Sequence, residues 1–289
     1  MFKQAAQLDP TKPEPGLYVG VQRSVYYQPW ACNHSTLRHM ADSPAHCAAS
    51  RREPSQHTEA TRWGTAFHAW AFDRENFQAE VHIVPVTGHA AKKKYEAEHP
   101  AIGAAIDANE WNEIREASKS IGAHPDARRW RSLEGPREVT MVWNDPSGVL
   151  CRARFDKVCL VESAGTAQPV AWADVKTTRS VQPEDFEKSL YDFGYHTQNA
   201  FYRRGWTVLG LPEVRSVIVA VENTPPYSVA TFEIDDDTRR IADDIVNAWL
   251  IEWAACEKSG KWPRRVADAP TPIGLPGWVK KRYQQEAIQ

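Results

Sequence analysis

The sequence predicts an α/β protein, a central mixed β-sheet flanked by helices, with an N-terminal helical elaboration. Three observations predict it: apolar residues at helical spacing up to about Leu133, β-rich runs separated by a turn after it, and helices alternating with further strands toward the C-terminus.

The elements follow in order. Residues 1–30 are rich in Pro and polar side chains and read as a loosely ordered arm. Asn33 or Ser35 suits a helix N-cap before Leu37, Met40 and Ala41, and Ser43-Pro44 breaks that helix or starts the next. Arg62–Asp73 carries Trp63, Phe67, Trp70 and Ala71 at helical spacing, the pattern of a buried helix. After a short apolar piece at 81–86, residues 90–123 read as helical, with Lys92-Lys93-Lys94 on an exposed turn. Residues 139–143, 149–161 and 170–177 read as strands, and a Pro-Ser-Gly turn at 146–148 joins the first two into a hairpin. A helical stretch over 183–209, strands at 214–221 and 228–234, and an amphipathic helix from about Asp237 to Cys256 complete the series. The expected organisation is an arm (1–30), one domain over 31–262 with a helical part (31–132) and an α/β core (133–262), and a tail (263–289) holding Lys280-Lys281-Arg282.

Composition narrows the function classes. Of 289 residues, 42% are apolar and 25% charged, values of a globular chain with a real core. No run approaches the roughly 18 apolar residues of a membrane span, and the N-terminus lacks an apolar signal segment, so a cytoplasmic protein is expected. The five cysteines form no CxxC pair and read as reduced thiols, with Cys151 and Cys159 in the core, which argues against a zinc or iron–sulfur site. The formal charge of -2 means that a nucleic-acid partner needs a local basic surface. Twelve tryptophans serve the core first and base stacking second.

Chemistry concentrates in two strands. Residues two apart share a strand face, so Arg152, Arg154 and Asp156 lie opposite Cys151, Ala153 and Phe155, and Asp174 and Lys176 lie opposite Ala173 and Val175. An acid beside a lysine inside so apolar a run is explained by pairing or by a metal. Phosphodiester hydrolysis uses such a set: Mg²⁺ needs one or two carboxylates and keeps some waters, and it lowers the pKa of a bound water while offsetting phosphate charge. A neighbouring lysine orients that water. A cross-strand salt bridge explains the same residues without any chemistry. Gln198 and Tyr202, four apart on one helix face, and His68 within an apolar helix each also fit an ordinary structural role.

Asp156 followed by Asp174-Val175-Lys176 resembles the PD-(D/E)xK nuclease signature. His68, Glu138, Asp156, Asp174-x-Lys176 and Gln198-x-x-x-Tyr202 stand in the order of its RecB-like branch, and more narrowly resemble a RecE-type phage exonuclease. The stretches Ser35-Thr36-Leu37, Ser43-Pro44-Ala45-His46, Gly64-Thr65-Ala66-Phe67-His68, Arg154-Phe155-Asp156, Asp174-Val175-Lys176-Thr177 and Tyr195–Tyr202 carry the likeness, over roughly 33–235. Phe155 departs from the proline common before the metal-binding acid.

The resemblance implies Asp156, Asp174 and the Val175 carbonyl as ligands of Mg²⁺ (Mn²⁺ as a substitute), with Lys176 positioning the water. His68 and Glu138 touch the metal directly or through water, and Gln198 and Tyr202 contact the DNA backbone. It also implies 5′-to-3′ digestion of one strand of linear double-stranded DNA, 3′ tails handed to a single-strand annealing protein, and a ring-shaped homo-oligomer. Enclosure by a ring reconciles net acidity with DNA retention, and Arg152, Arg154, Arg203 and Arg204 are the candidate channel cations. The alternatives are an iron–sulfur RecB-like nuclease, disfavoured by the single cysteine after residue 159, a PD-(D/E)xK endonuclease, and a non-catalytic DNA-binding protein keeping the fold.

Overall fold

The computed structural model describes residues 1–51, 59–74, 77–100, 102–163, 165–266 and 269–286. Its strands are β1 (Phe2–Gln4), β2 (Gly16–Val19), β3 (Val81–Ile83), β4 (Ala104–Ile106), β5 (Arg137–Asn144), β6 (Leu150–Ser163), β7 (Thr166–Thr178), β8 (Arg215–Glu222) and β9 (Val229–Phe232). Its helices are α1 (Arg23–Tyr26), α2 (His34–Leu37), α3 (Pro44–Ser50), α4 (Glu59–Phe72), α5 (Phe77–Glu80), α6 (His89–Glu98), α7 (Ala108–Ala123), α8 (Pro125–Ser132), α9 (Pro183–Asp192), α10 (Tyr195–Val208), α11 (Asp236–Ser259) and α12 (Gly277–Glu286). The expected mixed sheet with flanking helices is present. Seven strands run in the order β1-β2-β5-β6-β7-β8-β9, and β3 and β4 form a separate parallel pair.

Alternation along the central strands builds two cores. Met141, Trp143, Cys151, Ala153, Phe155 and Trp172 face Phe201, Trp206, Val246, Leu250 and Trp253 of α10 and α11. Cys159, Ala171, Ala173, Val175, Val217 and Val219 face Phe67, Ile114, Ile121 and Trp130 of α4, α7 and α8. A Cβ at Gly205 would lie 2.5 Å from Met141 and 2.7 Å from Trp143, so glycine is what lets α10 lie close on the sheet. β5 and β6 form the expected hairpin, closed by the Gly148 N–H on the Asp145 carbonyl. All five cysteines are free and buried. No helix among the described residues is long and apolar enough to cross a membrane.

Several elements differ from the sequence reading. The residues read as a loose arm supply β1 and β2: Leu17 and Tyr18 are buried, and β2 pairs antiparallel with β5, whose outer edge would otherwise stand open. The stretch 90–123 is not one helix. Pro100 keeps His99 out of the helical region, and α7 restarts at Asp107, whose side chain accepts from the Asn109 and Glu110 N–H groups. Lys92 is not on an exposed turn: it is buried, with its ammonium 3.1 Å from Asp107 and 2.6 Å from Glu110. The tail docks at its start, where the Pro263 carbonyl accepts from the Ala45 N–H and Arg265 donates to the Met40 carbonyl, and it holds α12.

Candidate active site

The central feature is a fork between β6 and β7. Val139 faces Phe155 and Arg137 faces Lys157, so Glu138 stands opposite Asp156. Across the other edge of β6, pairing with β7 ends at Lys157 and Ala173, so Asp156 and Asp174 are the first opposing residues beyond it. From there β6 runs against β5, with a single parallel bridge from Cys32 to Cys151 on its other edge, and β7 runs against β8. Three acids thus line up across adjacent strands where two of those strands part. Glu138 has the left-handed φ of 50°, a conformation that disfavours non-glycine residues and is tolerated where the surroundings fix it.

Each acid has a defined partner. The Val175 N–H, freed from the ladder, donates to Asp156 at 2.7 Å, and His68 of α4 lies 3.3 Å from the same oxygen. Lys176 holds Asp174 at 2.5 Å, and its ammonium also sits 4.7 Å from the centre of the Tyr195 ring. Glu138 pairs with Arg154. Water still reaches the cluster: the Asp174, Lys176 and Glu138 side chains are 16%, 13% and 26% exposed.

Burial and proximity push the acids apart in acidity. Burial raises Asp174 to about 6, the Asp156 charge adds to this, and Lys176 opposes it. Burial likewise raises Glu138 to about 7 against the pull of Arg154. Burial also penalises charge on Asp156, but His68, Lys176 and the Val175 N–H outweigh it and lower the carboxyl to about 2. Burial disfavours charge on His68 and on Lys176, yet the carboxylates raise both. One carboxylate is firmly ionised, and two lie under-compensated beside it.

The other expected site residues are engaged with protein partners, and Gln198 and Tyr202 line one pocket with Asp174 and Tyr195. Arg152 is buried, its guanidinium 5.2 Å from the Tyr26 ring and 4.7 Å from Trp30, so it does not line a DNA channel. The sheet face it shares with Arg154 is covered by the N-terminal segment. Arg154 is committed to Glu138, Arg203 faces Asp243, and Arg204 is bound at 2.5 Å to the buried Asp145. Tyr202 is buried and donates to the Arg154 carbonyl at 3.0 Å, while Gln198 donates to the Tyr202 hydroxyl at 3.3 Å. Tyr202 therefore ties α10 to β6 and is not a surface contact. Sequence reasoning assigned no role to Tyr195, although it stands three residues before Gln198. It also missed His34, 2.9 Å from the Thr197 hydroxyl at the start of α10.

Residues 33–269 match the family described as a PDDEXK-like domain of unknown function (DUF3799). The chain belongs to this PDDEXK-like family. Its fold is shared, at a TM-score of 0.56 and 13% identity, with the crystal structure of a "Putative exonuclease" from Eubacterium rectale, over 87% of this chain and 92% of that one. No curated protein matches the chain by sequence.

Among the described residues of this PDDEXK-like chain, no three or more His, Cys, Asp or Glu side chains gather into a finished metal cage. The donor chemistry still suits a hard divalent cation. Asp156 and Asp174, with Glu138 alongside, offer the carboxylate oxygens that Mg²⁺ takes while it keeps several waters. A cation there would relieve the charge that burial leaves under-compensated.

Proposed function

We propose that this chain is a metal-dependent nuclease that hydrolyses DNA phosphodiesters at the fork between β6 and β7. The observation that carries this reading is the register that aligns Glu138, Asp156 and Asp174, with Lys176 on Asp174. On this reading Asp156, Asp174 and the Val175 carbonyl hold Mg²⁺, or Mn²⁺ in its place, with His68 and Glu138 at the edge. When bound, the ion would offset the phosphate charge and acidify a nearby water. Lys176 orients the attacking water and offsets the charge growing on the phosphate oxygens. His68 fixes the Asp156 carboxylate from α4, and Tyr202 and Gln198 hold α10 over the site.

The finer reading is a 5′-to-3′ exodeoxyribonuclease on linear double-stranded DNA that leaves 3′ tails for recombination by strand annealing. The ordered company of His68, Glu138, Gln198 and Tyr202 around the acids supports it, and the name of the Eubacterium rectale protein supports its exonuclease part alone. A ring-shaped homo-oligomer would keep a chain of charge -2 on DNA. Digestion of linear duplexes labelled at either the 5′ or the 3′ end, with Mg²⁺, tests activity and polarity together. Early release of the 5′ label, with closed circles left intact, is the expected result. Cleavage of closed circles would identify an endonuclease instead, and no release from any substrate would remove the enzyme reading.

A further inference from the structure

Beside the fork, two aromatic side chains face solvent from a turn that is held rigid. Tyr191 and Phe193, at the end of α9 and the elbow before α10, are 77% and 54% exposed. Single exposed aromatics are ordinary on protein surfaces, but this pair differs in its support. Arg38 donates to the Asp192 and Phe193 carbonyls, at 3.0 Å each. Gly194 follows with φ 67°, and its carbonyl accepts from the Thr197 hydroxyl at 3.0 Å. A Cβ at Gly194 would come within 3.2 Å of that hydroxyl oxygen. The elbow is therefore fixed while its rings stay outside.

The Phe193 ring is also continuous with the catalytic lysine. Lys176 lies 4.7 Å from the Tyr195 ring centre, and the Phe193 ring stacks on Tyr195 at 5.6 Å and 27°. Tyr191 stacks on His196, the next residue of α10, at 15°. The Phe193 ring is thus at most about 10 Å from the ammonium, a span of about three nucleotides at 3.4 Å each along a stacked strand.

We infer that Phe193 and Tyr191 form a stacking platform for unpaired bases of the strand whose phosphate lies at Lys176. Flat ring faces bind any base, which suits a chain of formal charge -2. Beyond the terminal pair of a duplex end, stacking on a side chain needs bases released from their own duplex, so a strand reaching both rings and Lys176 enters as a single-stranded segment. This rests on the nuclease reading for the position of the phosphate, and it adds the state of the substrate strand: unpaired before cleavage.

The test uses the full chain with Ca²⁺, in which binding without turnover is expected, and single-stranded oligonucleotides carrying 2-aminopurine at successive positions. Quenching at positions within about three nucleotides of the phosphate held at Lys176 is expected, because that is the span from its ammonium to the Phe193 ring. Phe193→Ala should weaken binding about tenfold, and Phe193→Ala with Tyr191→Ala further still. Phe193→Trp should restore quenching, while Tyr283→Ala, an exposed aromatic on α12, should change nothing. Equal quenching by wild type and the double variant, with matching circular-dichroism melts, would overturn the platform. An equal loss of affinity for a flush duplex would overturn its single-strand assignment. Hydrolysis is read separately with Mg²⁺: a wild type that quenches but never cleaves would end the nuclease reading and leave the platform standing.

Discussion

Replacing Asp174 with asparagine should stabilise the metal-free fold at alkaline pH while destroying its activity. In the folded chain burial raises the Asp174 carboxyl to about 6 from its usual 3.8. An acid whose folded pKa is raised contributes stability that is fully present below its unfolded pKa and is lost as pH rises through the folded value. The wild type therefore loses stability between about pH 4 and pH 7, and a neutral asparagine does not. A rise of about two units corresponds to about 3 kcal/mol at 1.36 kcal/mol per unit. Water reaching the partly exposed pair reduces this to about 1–2 kcal/mol. Titrations that do not feel Asp174, such as that of the buried His34, whose pKa burial lowers to about 3, cancel in the comparison. His68, which the Asp174 charge helps to raise, is raised less in Asp174→Asn and moves the difference the same way. The measurement is urea unfolding of both chains with chelator at pH 4.5 and pH 8. The midpoint difference should move by about 0.5 M in favour of Asp174→Asn at the higher pH. Millimolar Mg²⁺ should then raise only the wild type, through binding to the native state. A midpoint difference that does not change with pH would refute the argument that Asp174 is a buried charge short of compensation.

Asp174→Ala and Lys176→Ala should each abolish hydrolysis of linear duplex DNA while leaving binding in gel-shift assays largely intact. Ca²⁺ in place of Mg²⁺ should support binding without turnover, because its looser coordination positions the water poorly; single-turnover assays check this. Gly205→Ala should cost about 1–3 kcal/mol in chemical unfolding, since the added methyl enters space held by Met141 and Trp143. Lys92→Met should destabilise the chain by about 3 kcal/mol, by leaving Asp107 and Glu110 without the buried ammonium they share.

Local patterns were readable in the sequence where one element decides them. The period of two along β7 places Asp174 and Lys176 together, and the cap at Asn33 and the hairpin turn at 146–148 follow from single-residue chemistry. What needed a partner from far along the chain was not readable. Glu138 meets Asp156 only through the pairing of β5 with β6, and the end of pairing between β6 and β7 leaves no mark on either strand alone. Lys92 looked solvated because its acids arrive with the start of α7. Arg152 looked available because the rings that cover it come from residues whose composition suggested no structure.

That N-terminal cover lies outside the family match yet belongs to the packed fold. The family match begins at residue 33, yet β2 closes the edge of β5, and Tyr18, Val21 and Tyr26 pack on Val142. A chain trimmed to residues 33–269 would keep every acid of the fork and still present β5 as a bare strand beside an uncovered Arg152. Its unpaired backbone would recruit whatever strand it met, including that of another trimmed copy, so the shortened protein should self-associate before it could be assayed.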